Sequence, residues 1–306
     1  GGGDVVQQPA QPSVEYPLNT AELDQDEQAL QQVLQSAKSQ RVPTMTQLVD
    51  LIAINELLGT VESSGDGKNA NLVAQLETES LAAKAAEFKT TNNDDTIGWI
   101  RIPNTNVDYP VVYKAGVENY AYYESKGYDK QYSKDGVIWA DYECTFPELS
   151  QNTTLYGHNW HNIYTPRTQA NMQANDLMFS LVMSYNYTDF AQENPFVYFS
   201  TTEQDYVFQV FASYYTDLNF GYNYAQMSQE DFQKVIAEAK AKSLSNYNVP
   251  VTSEDKIVTL STCTRVHGNT NNQRFVVMAK LVPVGTPSTT ISTHSNPIAY
   301  NSSIDA

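Results

Sequence analysis

Lys256-Ile-Val-Thr-Leu-Ser-Thr-Cys263 is followed, after a polar loop, by Arg274-Phe-Val-Val-Met-Ala-Lys-Leu-Val282. The two runs are rich in β-branched residues and read as strands joined by a loop. A cysteine closes the first and an arginine opens the second. Antiparallel pairing across the loop brings the Cys263 thiol and the Arg274 guanidinium to the same end of a sheet. A thiol beside a fixed positive charge is a common route to a reactive thiolate. Side chains alternate faces along a strand, so Thr259, Ser261 and Cys263 share one face, and Val258, Leu260 and Thr262 the other.

Upstream, further short strands separated by turns are expected over residues 97–102, 107–112, 136–140, 153–157, 195–200 and 206–212. A short helix is expected from Leu177 to Tyr185. Ser228-Gln-Glu-Asp231 begins like a capping box, opening a helix to about Ser243 with Phe232, Val235, Ile236 and Ala239 on one face. Many short strands with helical inserts predict a mostly β chain closed, or nearly closed, into a barrel. Before it, apolar spacing predicts amphipathic helices over 21–39, 44–58 and 72–89. The expected organisation is a Gly-, Gln- and Pro-rich flexible tether at 1–20, an N-terminal helical extension at 21–90, a catalytic barrel at 91–284 and a flexible tail at 285–306.

The chain has 306 residues with 18 Lys and Arg against 35 Asp and Glu, a formal net charge of −17. That excess of negative charge argues against nucleic acid, which is bound through Lys and Arg contacts to phosphate. It argues equally against a polybasic membrane patch. No apolar run reaches the ~18 residues that cross a bilayer, so a membrane anchor is expected outside this sequence.

The two cysteines and four histidines leave few nucleophile–base pairs. By itself Cys263 reads as a buried structural thiol, and a Cys144–Cys263 disulfide is the plain alternative. His158 shifts the balance, because Thr154-Leu-Tyr-Gly-His158 places it at a strand end. A Cys and a His at strand ends of one barrel are candidates for a nucleophile and its proton-transfer partner. Arg274 cannot give up a proton at useful pH, so its role is electrostatic, toward a substrate carbonyl and its oxyanion. His267 and Arg265, on the loop after Cys263, are rivals to His158 and Arg274; Arg274 is preferred because a strand fixes it better. His158 and His161 form an H-x-x-H pair, but without a third ligand they make a weak metal site. No cofactor is required by the chemistry.

Thr154-Leu-Tyr-Gly-His158, Leu260-Ser-Thr-Cys263 and Arg274-Phe-Val-Val277 resemble, in the same order, the TLxGH, LSTC and RFVV-type signatures of sortases. Ile97-Gly-Trp-Ile-Arg-Ile-Pro103, Val107-Asp-Tyr-Pro-Val-Val112 and the 136–141 segment are similar to class B members in particular. The resemblance covers about residues 90–284. It implies an eight-stranded sortase-type β-barrel on the outer face of a Gram-positive membrane, held there by an N-terminal anchor. It also implies a cysteine transpeptidase. Cys263 would attack an NPxTx-like C-terminal sorting signal of a surface protein, with His158 protonating the leaving amine. A peptidoglycan-precursor amine or a pilin lysine would then resolve the thioacyl enzyme. Arg274 would hold the signal and its oxyanion, and Ser261 and Thr262 would be substrate-binding. A barrel that binds without turnover is the non-enzymatic alternative. Two departures stand out. Thr264-Arg265 occupies the place where many class B members carry an acidic residue, and the Asp-Pro-aromatic lid of pilus-building enzymes is missing.

Overall fold

A computed structural model describes residues 72–300; the tether and the helices expected over 21–58 lie outside the described residues. Eight strands close into one barrel. In chain order the strands are β1 (Thr96–Arg101), β2 (Asp108–Val112), β3 (Ile138–Ala140), β4 (Asn152–Tyr156), β5 (Phe196–Thr201), β6 (Val207–Asp217), β7 (Ser245–Asn246), β8 (Ile257–Cys263), β9 (Gln273–Val282) and β10 (Ser292–Thr293). The barrel order is β1-β2-β3-β4-β8-β9-β6-β5, while β7 and β10 form a separate two-stranded sheet. Pairing is antiparallel except between β2 and β3 and between β4 and β8. The eight-stranded barrel of the expectation is therefore present.

Both faces of β6 and β8 are buried nearly throughout. One face fills the barrel and the other is covered by helices and loops, which explains their near-continuous apolar and small-residue runs. β6 extends five residues beyond its expected end, because it pairs with the whole of β9 from Val207↔Val282 to Asp217↔Gln273. A register shift between Val210 and Ala212 bends it, as a bulge does. Gly98 in β1 is needed for strand contact: a Cβ there would lie 2.3 Å from the Ser200 carbonyl oxygen.

Among the described residues three α-helices frame the barrel: α1 (Leu81–Thr91), α2 (Thr188–Glu193) and α3 (Gln229–Lys242). α3 matches its expectation. The Ser228 hydroxyl accepts from the Asp231 amide at 3.1 Å, and Phe232, Val235, Ile236 and Ala239 are buried. The helix expected over 72–89 is corrected. Residues 72–79 are not helical: Val73 bridges to Pro287, 78–79 bend, and only 81–91 is helical. Its start is fixed by Ser80, which accepts from the Ala83 amide and donates to Asp205. The segment 177–185 is in part a 3-10 helix, Ser180–Asn186.

The residues after Pro283 differ most from expectation. They hydrogen-bond to the extended segment before α1, with Ala74 and Gly285 each donating to the other stretch's carbonyls at 2.7 Å. They then pair β10 with β7, bury Ile291 in the core, and continue along α3, where the Lys242 ammonium donates to the Tyr300 carbonyl. Residues 285–300 are thus a strap on the barrel, and of the expected tail only 301–306 lie outside the described residues. The expected boundary at residue 90 also shifts, since α1 buries Leu81, Ala85 and Phe88 in the barrel's own core.

Candidate active site

Register alone brings the first pair together: Cys263 on β8 lies directly opposite Arg274 on β9. The parallel β4–β8 pairing, Tyr156↔Ser261 at its last rung, carries His158 to the same end. Three hydrogen bonds then hold the β4 and β8 ends together. The Gly157 amide donates to the Ser261 carbonyl at 3.3 Å, the Thr262 hydroxyl donates to the Gly157 carbonyl at 2.7 Å, and the Asn159 carboxamide donates to the Cys263 carbonyl at 3.1 Å. Gly157 admits no side chain, because a Cβ would lie 2.6 Å from both Ile138 and Phe179.

A cavity of about 240 Å³ opens at this end, lined by His158, Cys263, Arg274, Ser261 and Thr262 among others. All five residues singled out from the sequence therefore meet at one place. Thr262 sits there differently from the expectation: its hydroxyl is directed to the Gly157 carbonyl, so its visible work is to hold the His158 strand end. Ser261 shares a hydrogen bond of 2.8 Å with the Tyr222 hydroxyl. Cys263 and Cys144 are both free thiols. Cys144 is buried, and burial pushes its thiol up to about 12, whereas Cys263 is partly exposed at the cavity.

The His158 imidazole is only 5% exposed. It stacks on Trp160 with ring centres 5.2 Å apart and lies 5.6 Å from Trp139. Its Nε2 is hydrogen-bonded to the main-chain carbonyl of Glu124. A carbonyl only accepts, so Nε2 carries the proton and Nδ1 is the atom able to take one. Burial pulls the imidazole below the ordinary histidine range, Arg274 adds to that, and the Glu124 hydrogen bond opposes it. The Arg274 guanidinium is steadied by two main-chain carbonyls, Asn271 at 2.9 Å and Gln273 at 2.8 Å.

The rivals lie elsewhere. His267 is exposed, stacks on Tyr300 and meets Tyr215 edge-on. Arg265 donates to Asn269. Neither lines the cavity, and His161 is exposed.

Sequence reasoning missed the rest of the wall. Asp141 accepts from the Tyr156 hydroxyl at 2.6 Å, and Asn223 donates to that same hydroxyl at 2.9 Å. Glu124, Tyr222 and Asn223 come from irregular segments, where no periodicity points inward. Trp160, only two residues from His158, could have been noticed. The arrangement supplies a thiol, a neutral buried imidazole and a fixed cation around one cavity, the set that acyl transfer to sulfur requires.

A sequence model of one family, described as the Sortase domain, matches residues 100–282. The chain is 30% identical over 193 residues to "Sortase B" of Staphylococcus aureus, covering 63% of this chain and 72% of that protein. It is 29% identical over 191 residues to "Sortase B" of Listeria monocytogenes, covering 62% and 71%. Among solved structures, Clostridium perfringens sortase B superposes with a TM-score of 0.53 at 27% identity, covering 64% of this chain and 98% of that one.

Proposed function

Because this chain belongs to the sortase family and is a cysteine transpeptidase of class B type, we propose that Cys263 is its nucleophile, His158 its proton-transfer group and Arg274 its oxyanion partner. The observation that carries this reading is the convergence of the three on one cavity by strand register, Cys263↔Arg274 across β8–β9.

The reaction then runs in two halves. The Cys263 thiol loses its proton toward Nδ1 of His158, and sulfur attacks the scissile carbonyl carbon of an NPxTx-like sorting signal. A C–S bond forms and the carbonyl becomes an oxyanion facing Arg274. As the C–N bond breaks, the imidazolium gives its proton to the departing nitrogen, leaving a thioacyl enzyme. A neutral imidazole suits the first step, since a protonated one could not accept the thiol proton. In the second half an amine of a peptidoglycan precursor attacks the thioester and releases the surface protein as a new amide; a pilin lysine is the alternative acceptor. Ser261, with Tyr222 behind it, offers a hydroxyl to the signal's main chain, and exposed Leu218 and Tyr120 at the cavity rim offer apolar contact. Such an enzyme acts at the outer face of the cell membrane, held by an N-terminal anchor.

The test is turnover of NPxTx- and LPxTx-type peptides in the presence of an amine. The expected result is cleavage after the threonine with a new amide at its carbonyl, NPxTx being preferred. Arg274→Ala should lower kcat/KM by about 10²-fold or more. Full activity in that variant would remove Arg274 from the mechanism.

A further inference from the structure

We infer that the Glu124 carboxylate binds the ammonium group of the acceptor amine and so governs which acceptors resolve the thioacyl enzyme. This rests on the reading of Cys263 as acyl carrier given above.

Two carboxylates stand in the cavity wall, Glu124 and Asp141. Asp141 is engaged, accepting from the Tyr156 hydroxyl and from the Glu143 amide at 2.9 Å. Glu124 engages only its main chain: its amide donates to Ala121 and its carbonyl accepts from His158. Its side chain is half-buried and has no hydrogen-bond or ion-pair partner among the described residues. Burial raises its carboxyl, and the Arg274 charge opposes that rise without forming an ion pair. A half-buried anion left without a partner is unfavourable, and a cation entering the cavity would relieve it.

The transpeptidation itself brings such a cation. Primary amines of Lys or α-amino type are ammonium ions at neutral pH. Glu124 also holds the His158 ring through its carbonyl, so a cation docked on its carboxylate is delivered beside the imidazole. The ammonium passes one proton to Nδ1 of His158 and becomes a nucleophile. Its nitrogen lone pair forms the C–N bond to the thioacyl carbon. The C–S bond then breaks with its electron pair on Cys263, and the second proton from nitrogen ends on that sulfur. The imidazolium loses the first proton to solvent. The products are the amide and the free thiol. Glu124 supplies from the β2–β3 connection the negative charge that Thr264-Arg265 does not supply after the cysteine.

The experiment compares the parent enzyme with Glu124→Gln and Glu124→Asp, using one sorting peptide and two nucleophiles. One is glycine amide, mainly an ammonium at neutral pH; the other is hydroxylamine, which is uncharged there. Loss of a charge-assisted hydrogen bond should raise KM for glycine amide about tenfold in Glu124→Gln. The change with hydroxylamine should be several-fold smaller, and Glu124→Asp should lie between. Equal losses with both nucleophiles, no loss with either, or a change confined to the KM of the sorting peptide would overturn the inference. The last outcome would assign the carboxylate to a cationic side chain of the signal. If the parent forms no thioacyl enzyme on Cys263, the proposed function fails, and this inference with it.

Discussion

His158 has the environment of a core residue and a place on the cavity wall. Its ring packs against two tryptophans, yet it borders the cavity that holds Cys263 and Arg274. Burial disfavours the imidazolium and so lowers its pKa from 6.5, with a consequence for stability. Between the folded value and 6.5 the unfolded chain binds more protons than the native one, so stability falls as pH falls through that window. The expected outcome is a His158 titration midpoint below 6.5 by NMR. In addition, His158→Gln should show a shallower loss of stability than the parent as pH is lowered through that window. A midpoint at or above 6.5 would mean that the ring is solvated or ion-paired, and the neutral-imidazole step would have to be abandoned. At this scale the sequence was legible wherever a side chain sits on a strand. Cys263, Ser261 and Arg274 followed from alternation and pairing. Glu124, Tyr222 and Asn223 did not, because their directions are set by irregular segments whose hydrogen bonds are non-local. The Thr262 hydroxyl shows a related limit: alternation put it on the face opposite Cys263, but its partner, the Gly157 carbonyl, depends on the parallel β4–β8 contact.

Among the elements, β-branched runs between turns marked all eight barrel strands, and a serine cap with a one-sided apolar face marked α3. The errors fell where local pattern and tertiary contact disagree. Residues 72–79 carry helix-compatible spacing, yet they are not helical: Leu72 to Ala74 pair with 285–288, and Leu76 joins Val207 and Val282 in one buried apolar cluster. The Ser-, Thr- and Asn-rich composition after Pro283 reads as flexible, and nothing local shows that its few apolar residues are anchored. Ile291 is one of them, 3% exposed within the main core cluster. Truncating it should therefore cost as a core substitution does. Ile291→Ala is expected to lose about 2–5 kcal/mol in urea unfolding. A loss indistinguishable from that of an exposed aliphatic residue would show that the strap is not docked in solution. The strap reaches the β8–β9 loop through Tyr300 stacked on His267, so a structural role is seen for the histidine that rivalled His158 in sequence.

For the molecule as a whole, the barrel is a device for setting side chains on different strands at one rim. Two parallel pairings, β2–β3 and β4–β8, interrupt an otherwise antiparallel closure, and the second carries His158 to the end where β8 and β9 present Cys263 and Arg274. In a chain of formal net charge −17, one cavity holds the Arg274 guanidinium, the hydrogen-bonded Asp141 and the unpartnered Glu124 carboxylate. A dipolar substrate pairing, an oxyanion with an incoming ammonium, fits that arrangement. The central claim is that Cys263 carries the acyl group, and Cys144 is the built-in control. Cys144 is the same chemical group, buried and outside the cavity lining, and burial pushes its thiol up to about 12. The most direct measurement is intact-mass spectrometry of the protein quenched during turnover of an NPxTx-type peptide, with peptide mapping of the adduct, for the parent and for Cys263→Ala. The account predicts a mass gain equal to the acyl fragment ending in the signal's threonine, mapped to Cys263 and absent from Cys263→Ala. An adduct that persists in that variant, or that maps to Cys144, would contradict it.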